Sequence, residues 1–123
     1  MRDLTKAEEQ VMQILWKLKK GFVKDVLAEF EDPKPAYNTI STIIRILESK
    51  GFIGYEAFGK THCYFPLISK EDYSKYAANN LINGYFGGSF QKMLSFFAKE
   101  HTMNVTELNE ILAEIKKNEN ENN

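Results

Sequence analysis

Apolar residues recur at helical spacing in most parts of the chain, and turn-forming residues separate the runs. The first run begins at the capping box Thr5-Lys6-Ala7-Glu8, in which a hydroxyl and a carboxylate each satisfy a free amide at the helix start. Gly21 is predicted to end this helix, and Phe22-Val23 fits a short extended segment. A short second helix follows, and the prolines within residues 31–35 stop it.

A third helix is predicted after the second of these prolines, and it carries two different stripes. The apolar stripe suits a protein core and consists of Ala36, Ile40, Ile43, Ile44 and Leu47. The opposite stripe consists of Asn38, Ser41, Thr42, Arg45 and Ser49. It lacks the Glu/Lys mixture of an ordinary solvated face, and its short side chains would let the helix backbone sit deep in a DNA major groove. Judged from this stripe alone, the alternative to a DNA-binding face is an ordinary polar helix surface.

Two β-rich runs, residues 52–58 and 61–67, flank the turn Gly59-Lys60 and predict a hairpin. Three helices followed by a hairpin form the order of a winged helix-turn-helix, whose third helix enters the major groove while the hairpin touches the flanking backbone. Lys60 at the hairpin tip is a candidate phosphate contact, with a solvated turn lysine as the alternative. Tyr37, beside the start of the third helix, is a second candidate. The DNA-binding residues expected from this pattern are Tyr37, Asn38, Ser41, Thr42, Arg45 and Lys60.

Three more helices are predicted after the hairpin, and residues 117–123 are expected to form a disordered tail. The sequence offers no further element to cover their apolar sides, so they pack back on the winged helix or pair with a second chain. We expect pairing, because a two-fold protein reads a two-fold DNA site. The expected dimerisation residues are Tyr73, Leu81, Tyr85, Phe90, Met93, Leu94, Phe97, Leu108, Ile111, Leu112 and Ile115. The predicted fold is mainly α with a small β-hairpin, divided into a winged helix at 1–68 and a helical dimerisation region at 69–116.

Composition limits the classes of function that the chain can have. Its 123 residues, 43% of them hydrophobic, are enough for one core or for one small domain with an appendage. With a net charge of −1, any affinity for DNA must come from a local patch, from shape and from dimerisation. The single Cys63 cannot form an internal disulfide, and we expect no metal site and no cofactor. No apolar run approaches the length of a membrane span, which predicts a cytoplasmic protein.

An enzyme is not expected, because the sequence has no Gly-rich phosphate loop and no nucleophile with a matched histidine and acid. The neighbours His62 and Cys63 cannot act as a dyad, since adjacent residues of a strand point to opposite faces. A winged helix that docks on another protein stays an alternative, because the net charge is low.

Several short motifs together resemble one family, the BlaI/MecI/CopY penicillinase repressors. They are Leu4-Thr5-Lys6-Ala7-Glu8, Val11-Met12, Ile14-Leu15-Trp16, Asn38-Thr39-Ile40 with Thr42 and Leu47, Lys50-Gly51-Phe52, Gly59-Lys60, Tyr64-Phe65-Pro66-Leu67 and Phe86-Gly87-Gly88-Ser89. They occur in one order over nearly the whole chain. The resemblance implies a homodimeric repressor that holds a palindromic operator with its winged helix and intertwines its three C-terminal helices between protomers.

The resemblance also implies roles for particular residues. Thr39 and Thr42 match threonines that the family uses at the operator, whereas Asn38 and Ser41 stand where lysine and arginine are frequent. In the BlaI and MecI branches a membrane metalloprotease sensor of β-lactams triggers cleavage at an Asn-Phe pair, which aligns with Ser95-Phe96. A family repressor that answers a different signal without cleavage is the alternative. The cysteine-rich motif of the copper-responsive branch is absent from the sequence after residue 67.

Overall fold

The computed structural model describes residues 1–100 and 104–122, with side chains up to residue 118. Its elements are α1 (Lys6–Leu18), α2 (Val23–Ala28), α3 (Tyr37–Ser49), β1 (Ile53–Phe58), β2 (Thr61–Pro66), α4 (Lys70–Tyr85), α5 (Phe90–Lys99) and α6 (Val105–Asn122). The chain divides into two compact units, Met1–Ala77 and Ala78–Asn123. This order confirms the predicted fold, a winged helix-turn-helix followed by helices.

The first unit has a single hydrophobic core. Helical stripes of α1, α2 and α3 meet residues of the hairpin and one residue of α4 there. The buried members are Val11, Met12, Leu15, Val23, Val26, Ile40, Ile44, Leu47, Phe52, Ile53, Tyr64 and Tyr73. The apolar side of α3 therefore faces inward, and its polar side faces outward, as the periodicity predicts.

The start of α1 agrees with the prediction, but its end does not. Thr5 and Glu8 form the capping box, with the Glu8 amide donating to the Thr5 hydroxyl at 3.2 Å and the Thr5 amide donating to the Glu8 carboxylate at 2.9 Å. The helix ends at Leu18, and Lys19 takes a positive φ of 72°. The sequence predicts Gly21 as its end, but Gly21 lies beyond the helix.

Gly21 instead pairs with the hairpin. Its amide donates to the Tyr64 carbonyl at 2.9 Å, and the Tyr64 amide donates back at 2.8 Å. This single bridge replaces the extended segment predicted at Phe22-Val23. The Asp25 carboxylate accepts the Phe22 amide at 2.9 Å and so caps the start of α2. Val23 is therefore already the first residue of this helix and not part of an extended segment.

β1 and β2 form the predicted antiparallel hairpin, in the register Ile53↔Pro66 to Phe58↔Thr61. Gly59 takes the positive φ of 64° that the tight turn requires. The register puts Tyr55 opposite Tyr64, so both side chains lie on the same face of the hairpin.

A buried ion pair ties the end of α3 to the start of α1. The Lys50 ammonium lies 2.7 Å from one Glu8 carboxylate oxygen and 2.9 Å from the other. The side chain of Glu8 is 4% exposed and that of Lys50 is 19% exposed. Burial opposes ionisation of Glu8, but the hydrogen bonds from Lys50 and from the Thr5 amide outweigh it and hold the pKa of Glu8 below its usual range.

The first turns of α4 belong to the first unit, which extends past residue 68, the predicted boundary. Ser69 caps this helix by accepting the Asp72 amide at 3.0 Å. Tyr73 is buried in the core, where its hydroxyl accepts the Leu4 amide at 3.2 Å and its ring lies 5.8 Å from that of Phe52. The assignment of Tyr73 to dimerisation is therefore corrected, since burial takes its side chain away from the surface.

The second unit contains no fully buried side chain among the residues that the structure describes. Gly87 and Gly88 take positive φ between α4 and α5, and Ser89 caps α5 by accepting the Lys92 amide. α6 begins after Asn104 and continues to Asn122, although a disordered tail is predicted from residue 117. Residue 123 lies outside the described residues.

Candidate nucleic-acid interface

The outer face of α3 presents short polar side chains around one arginine. Asn38, Thr39, Thr42 and Arg45 are exposed, and Ser41 is half-buried at the edge of this face. The helix begins directly after Ala36, and no side-chain hydrogen bond caps its first turn. A helix with this face can approach base edges closely, and its first turn can approach a phosphate.

One side of α3 borders a groove of about 460 Å³ that also includes the start of α2 and the hairpin. Four of the predicted residues line this groove together, namely Tyr37, Ser41, Arg45 and Lys60. Asn38, Thr39 and Thr42 do not line it and lie on the outer face of the same helix. The structure thus places the predicted residues on two adjoining surfaces.

The groove contains two further residues that the sequence analysis does not assign to DNA binding, Lys24 and His62. Lys24 is exposed in the first turn of α2. His62 stacks on Tyr55, with ring centroids 4.1 Å apart and an interplanar angle of 7°. The winged-helix order is the signal that could have indicated Lys24, because it places the start of the second helix beside the third.

The charge of the groove differs from that of the whole chain. Its described lining includes the cations Lys24, Arg45 and Lys60 and no acidic side chain. The whole chain has a net charge of −1. A local positive groove beside a helix face of short polar side chains can therefore attract phosphate although the net charge of the whole chain is negative.

Tyr64 forms part of the groove and is mostly buried. Burial, followed by the negative charge of Glu48, raises the pKa of the Tyr64 hydroxyl, while the nearby Arg45 acts in the opposite direction. The hydroxyl therefore stays protonated at physiological pH and is available as a hydrogen-bond donor in the groove.

The residues predicted for dimerisation, apart from Tyr73, lie on apolar surfaces of α4, α5 and α6. The exposed ones are Leu81, Tyr85, Phe90, Leu112 and Ile115, and the half-buried ones are Met93, Leu94, Phe97, Leu108 and Ile111. An apolar groove of about 910 Å³ runs between α4 and α5. Ser95 and Phe96, the candidate cleavage site, are exposed in the middle of α5 and line this groove.

Within the described residues, no three or more His, Cys, Asp or Glu side chains come together as a metal site. None of the described helices is both long enough and apolar enough to cross a membrane.

Comparison with known proteins identifies relatives over most of the chain. A family model for the penicillinase repressor matches residues 4–117. The chain is 27% identical over 110 residues to the methicillin resistance regulatory protein MecI of Staphylococcus aureus (strain N315), covering 89% of each chain. It is 24% identical over 119 residues to the penicillinase repressor of Bacillus licheniformis, covering 96% of this chain and 93% of that one. The solution structure of the DNA-binding domain of the repressor BlaI superposes with a TM-score of 0.51 and 27% identity, covering 59% of this chain and 94% of that domain.

Proposed function

The chain belongs to the penicillinase repressor family, and we propose that it acts as a homodimer on a palindromic operator until proteolysis in its C-terminal region releases it. Members of this family are transcriptional repressors and not enzymes, so the chain is a DNA-binding repressor. The observation that carries DNA binding is the groove beside the exposed polar face of α3, whose lining has three cations and no acidic residue.

We assign separate tasks to the two adjoining surfaces. The outer face of α3 enters the major groove, where Asn38, Thr39 and Thr42 meet base edges. The groove beside it holds the DNA backbone, because Lys24, Arg45 and Lys60 line it together and can contact phosphates. Arg45 lies on both surfaces, and we assign it to a guanine edge.

Arg45→Ala and Lys60→Ala are expected to weaken DNA binding in different ways. Loss of Arg45 should cost roughly 1–3 kcal/mol on the operator and less on unrelated duplexes, because a base-directed contact is lost. Loss of Lys60 should weaken binding to all duplexes about equally and reduce the salt slope by about one unit. Fluorescence anisotropy with both kinds of duplex over a range of salt concentrations measures these effects.

Lys75→Ala is the matched control, because Lys75 is exposed on α4, does not line the groove, and forms a surface ion pair with Glu71 at 3.6 Å. It should keep both the affinity and the salt slope of the wild type. The assignment of tasks is wrong if Arg45→Ala weakens all duplexes equally, or if Lys60→Ala is selective for the operator.

Dimerisation is supported by the apolar surface of the second unit. Leu81, Tyr85 and Phe90 are 42%, 80% and 44% exposed, and no described side chain of that unit is fully buried. Exposed apolar groups of this size indicate a protein interface. A second copy of the same unit is the partner that also gives a two-fold DNA reader its second half-site contact.

Proteolytic release is supported by the position of Ser95 and Phe96. Both side chains are exposed, and they lie on α5 between the apolar residues Phe90 and Phe97. A cut here would divide α5 and separate its first half from α6. The bond between Ser95 and Phe96 lies within a helix, so a protease can cut it only when the helix opens locally. We propose that this protease is a membrane metalloprotease sensor.

A further inference from the structure

The outer face of α3 includes an isoleucine that the core does not use. Ile46 is 41% exposed and lies one helical turn after Thr42. It belongs to neither the predicted apolar stripe nor the predicted polar stripe of this helix. Its side chain is available to a partner that meets the outer face.

The hydroxyl groups next to Ile46 are already used within the helix. The Thr42 hydroxyl donates to the Asn38 carbonyl at 2.9 Å, and the Ser49 hydroxyl donates to the Ile46 carbonyl at 2.8 Å. Because the Thr42 hydroxyl donates its proton to its own backbone, it has no proton left to donate to a base, and its methyl group can make an apolar contact. Thr42 and Ile46 thus form a small apolar step, defined by these two side chains, on an otherwise polar face.

We propose that the apolar step of Thr42 and Ile46 contacts a thymine methyl group, so that α3 selects thymine at one position in each half of the operator. Thymine is the one standard base with a methyl group in the major groove, and apolar side chains recognise it by contact. An adenine or cytosine there would place an amino group against the Thr42 methyl group and the Ile46 side chain, neither of which can accept its hydrogen bond. This inference rests on the proposed function, because it needs α3 to lie in the major groove.

Deoxyuridine provides the test, because it differs from thymidine only by the missing methyl group. The full-length wild-type protein first selects duplexes from a random-sequence pool, and each thymine of the selected duplex is then replaced singly by deoxyuridine. One thymine in each half-site should show an affinity loss of about fourfold, as expected for one buried methyl group. In Ile46→Ala, the same replacement should change the affinity by less than about twofold.

Two substitutions at Thr42 form a matched pair. Thr42→Ser keeps the hydroxyl and removes the methyl group, so it should reduce the deoxyuridine penalty. Thr42→Val keeps a methyl group and removes the hydroxyl, so it should retain the penalty. Circular dichroism of all three variants checks that each is folded before its affinities are compared.

The inference is overturned if no thymine in the selected duplex is sensitive to deoxyuridine. It is also overturned if the penalty is the same in wild type, Ile46→Ala and Thr42→Ser, because the methyl contact then lies elsewhere. Failure of the wild type to enrich any duplex from the pool contradicts the proposed DNA-reading function itself, and this inference with it.

Discussion

Cleavage of α5 is expected to lower operator affinity by about a hundredfold or more, although the cut lies outside the DNA-binding unit. Each winged helix keeps Arg45 and Lys60, but it loses the linkage that raises the effective concentration of the second half-site contact. The experiment introduces a foreign protease site across residues 94–97, cleaves the protein in vitro, and follows operator binding by anisotropy and mass by sedimentation.

The uncleaved engineered protein is the control and should bind and sediment like the wild type. At the protein concentration at which cleavage lowers operator affinity, sedimentation should show that the dimer has become species of lower mass. If the cleaved protein holds the operator as tightly as the intact one, the dimer-splitting mechanism is wrong. If the intact protein is already monomeric well above its operator-binding concentration, the proposed homodimer is wrong.

Lys50→Met is expected to lower the free energy of unfolding by about 3–5 kcal/mol, because it leaves the buried Glu8 carboxylate without its cation. Urea unfolding followed by circular dichroism near pH 7 measures the loss. Lys17→Met is a matched control, since Lys17 forms a 2.8 Å ion pair with Glu29 whose side chains are 70% and 31% exposed. Removing that surface pair should cost at most about 1 kcal/mol. Equal losses in the two variants would contradict the structural role of the buried pair.

The same pair makes stability depend on pH in a defined direction. Because the folded-state pKa of Glu8 lies below its ordinary value of 4.5, folding favours the ionised carboxylate. Its contribution is therefore complete above that value and is lost as the pH falls through the lower folded-state pKa. The difference in the free energy of unfolding between wild type and Lys50→Met should accordingly become smaller as the pH is lowered.

The elements that the sequence predicts correctly are those with a local signal. The alternation of apolar and polar residues in α3 follows the helical period, so the pattern itself shows which side faces outward. The hairpin is marked by β-rich runs around Gly59, whose positive φ the turn requires. The capping box of Thr5 and Glu8 is likewise contained within four consecutive residues.

The features that the sequence does not predict depend on contacts between distant segments. Lys24 and His62 reach the groove because α2 and the hairpin pack beside α3. Gly21 does not end α1, because its backbone groups pair with those of Tyr64. The periodicity of α4 identifies Tyr73 as an apolar-side residue, but it cannot show that the partner is the core of its own winged helix.

Our main proposal is that α3 and the hairpin form a surface that reads DNA sequence. The most direct test compares two affinities of the full-length protein. One is for a duplex selected from a random pool, and the other is for a scrambled duplex of the same composition. We expect the selected duplex to bind at least about 10³-fold more tightly, and affinity for the scrambled duplex to fall steeply between about 50 and about 200 mM salt. Equal affinity for the two duplexes, or no binding at any salt concentration, would contradict DNA reading by this surface, and the absence of all binding would favour a protein-docking role for the winged helix.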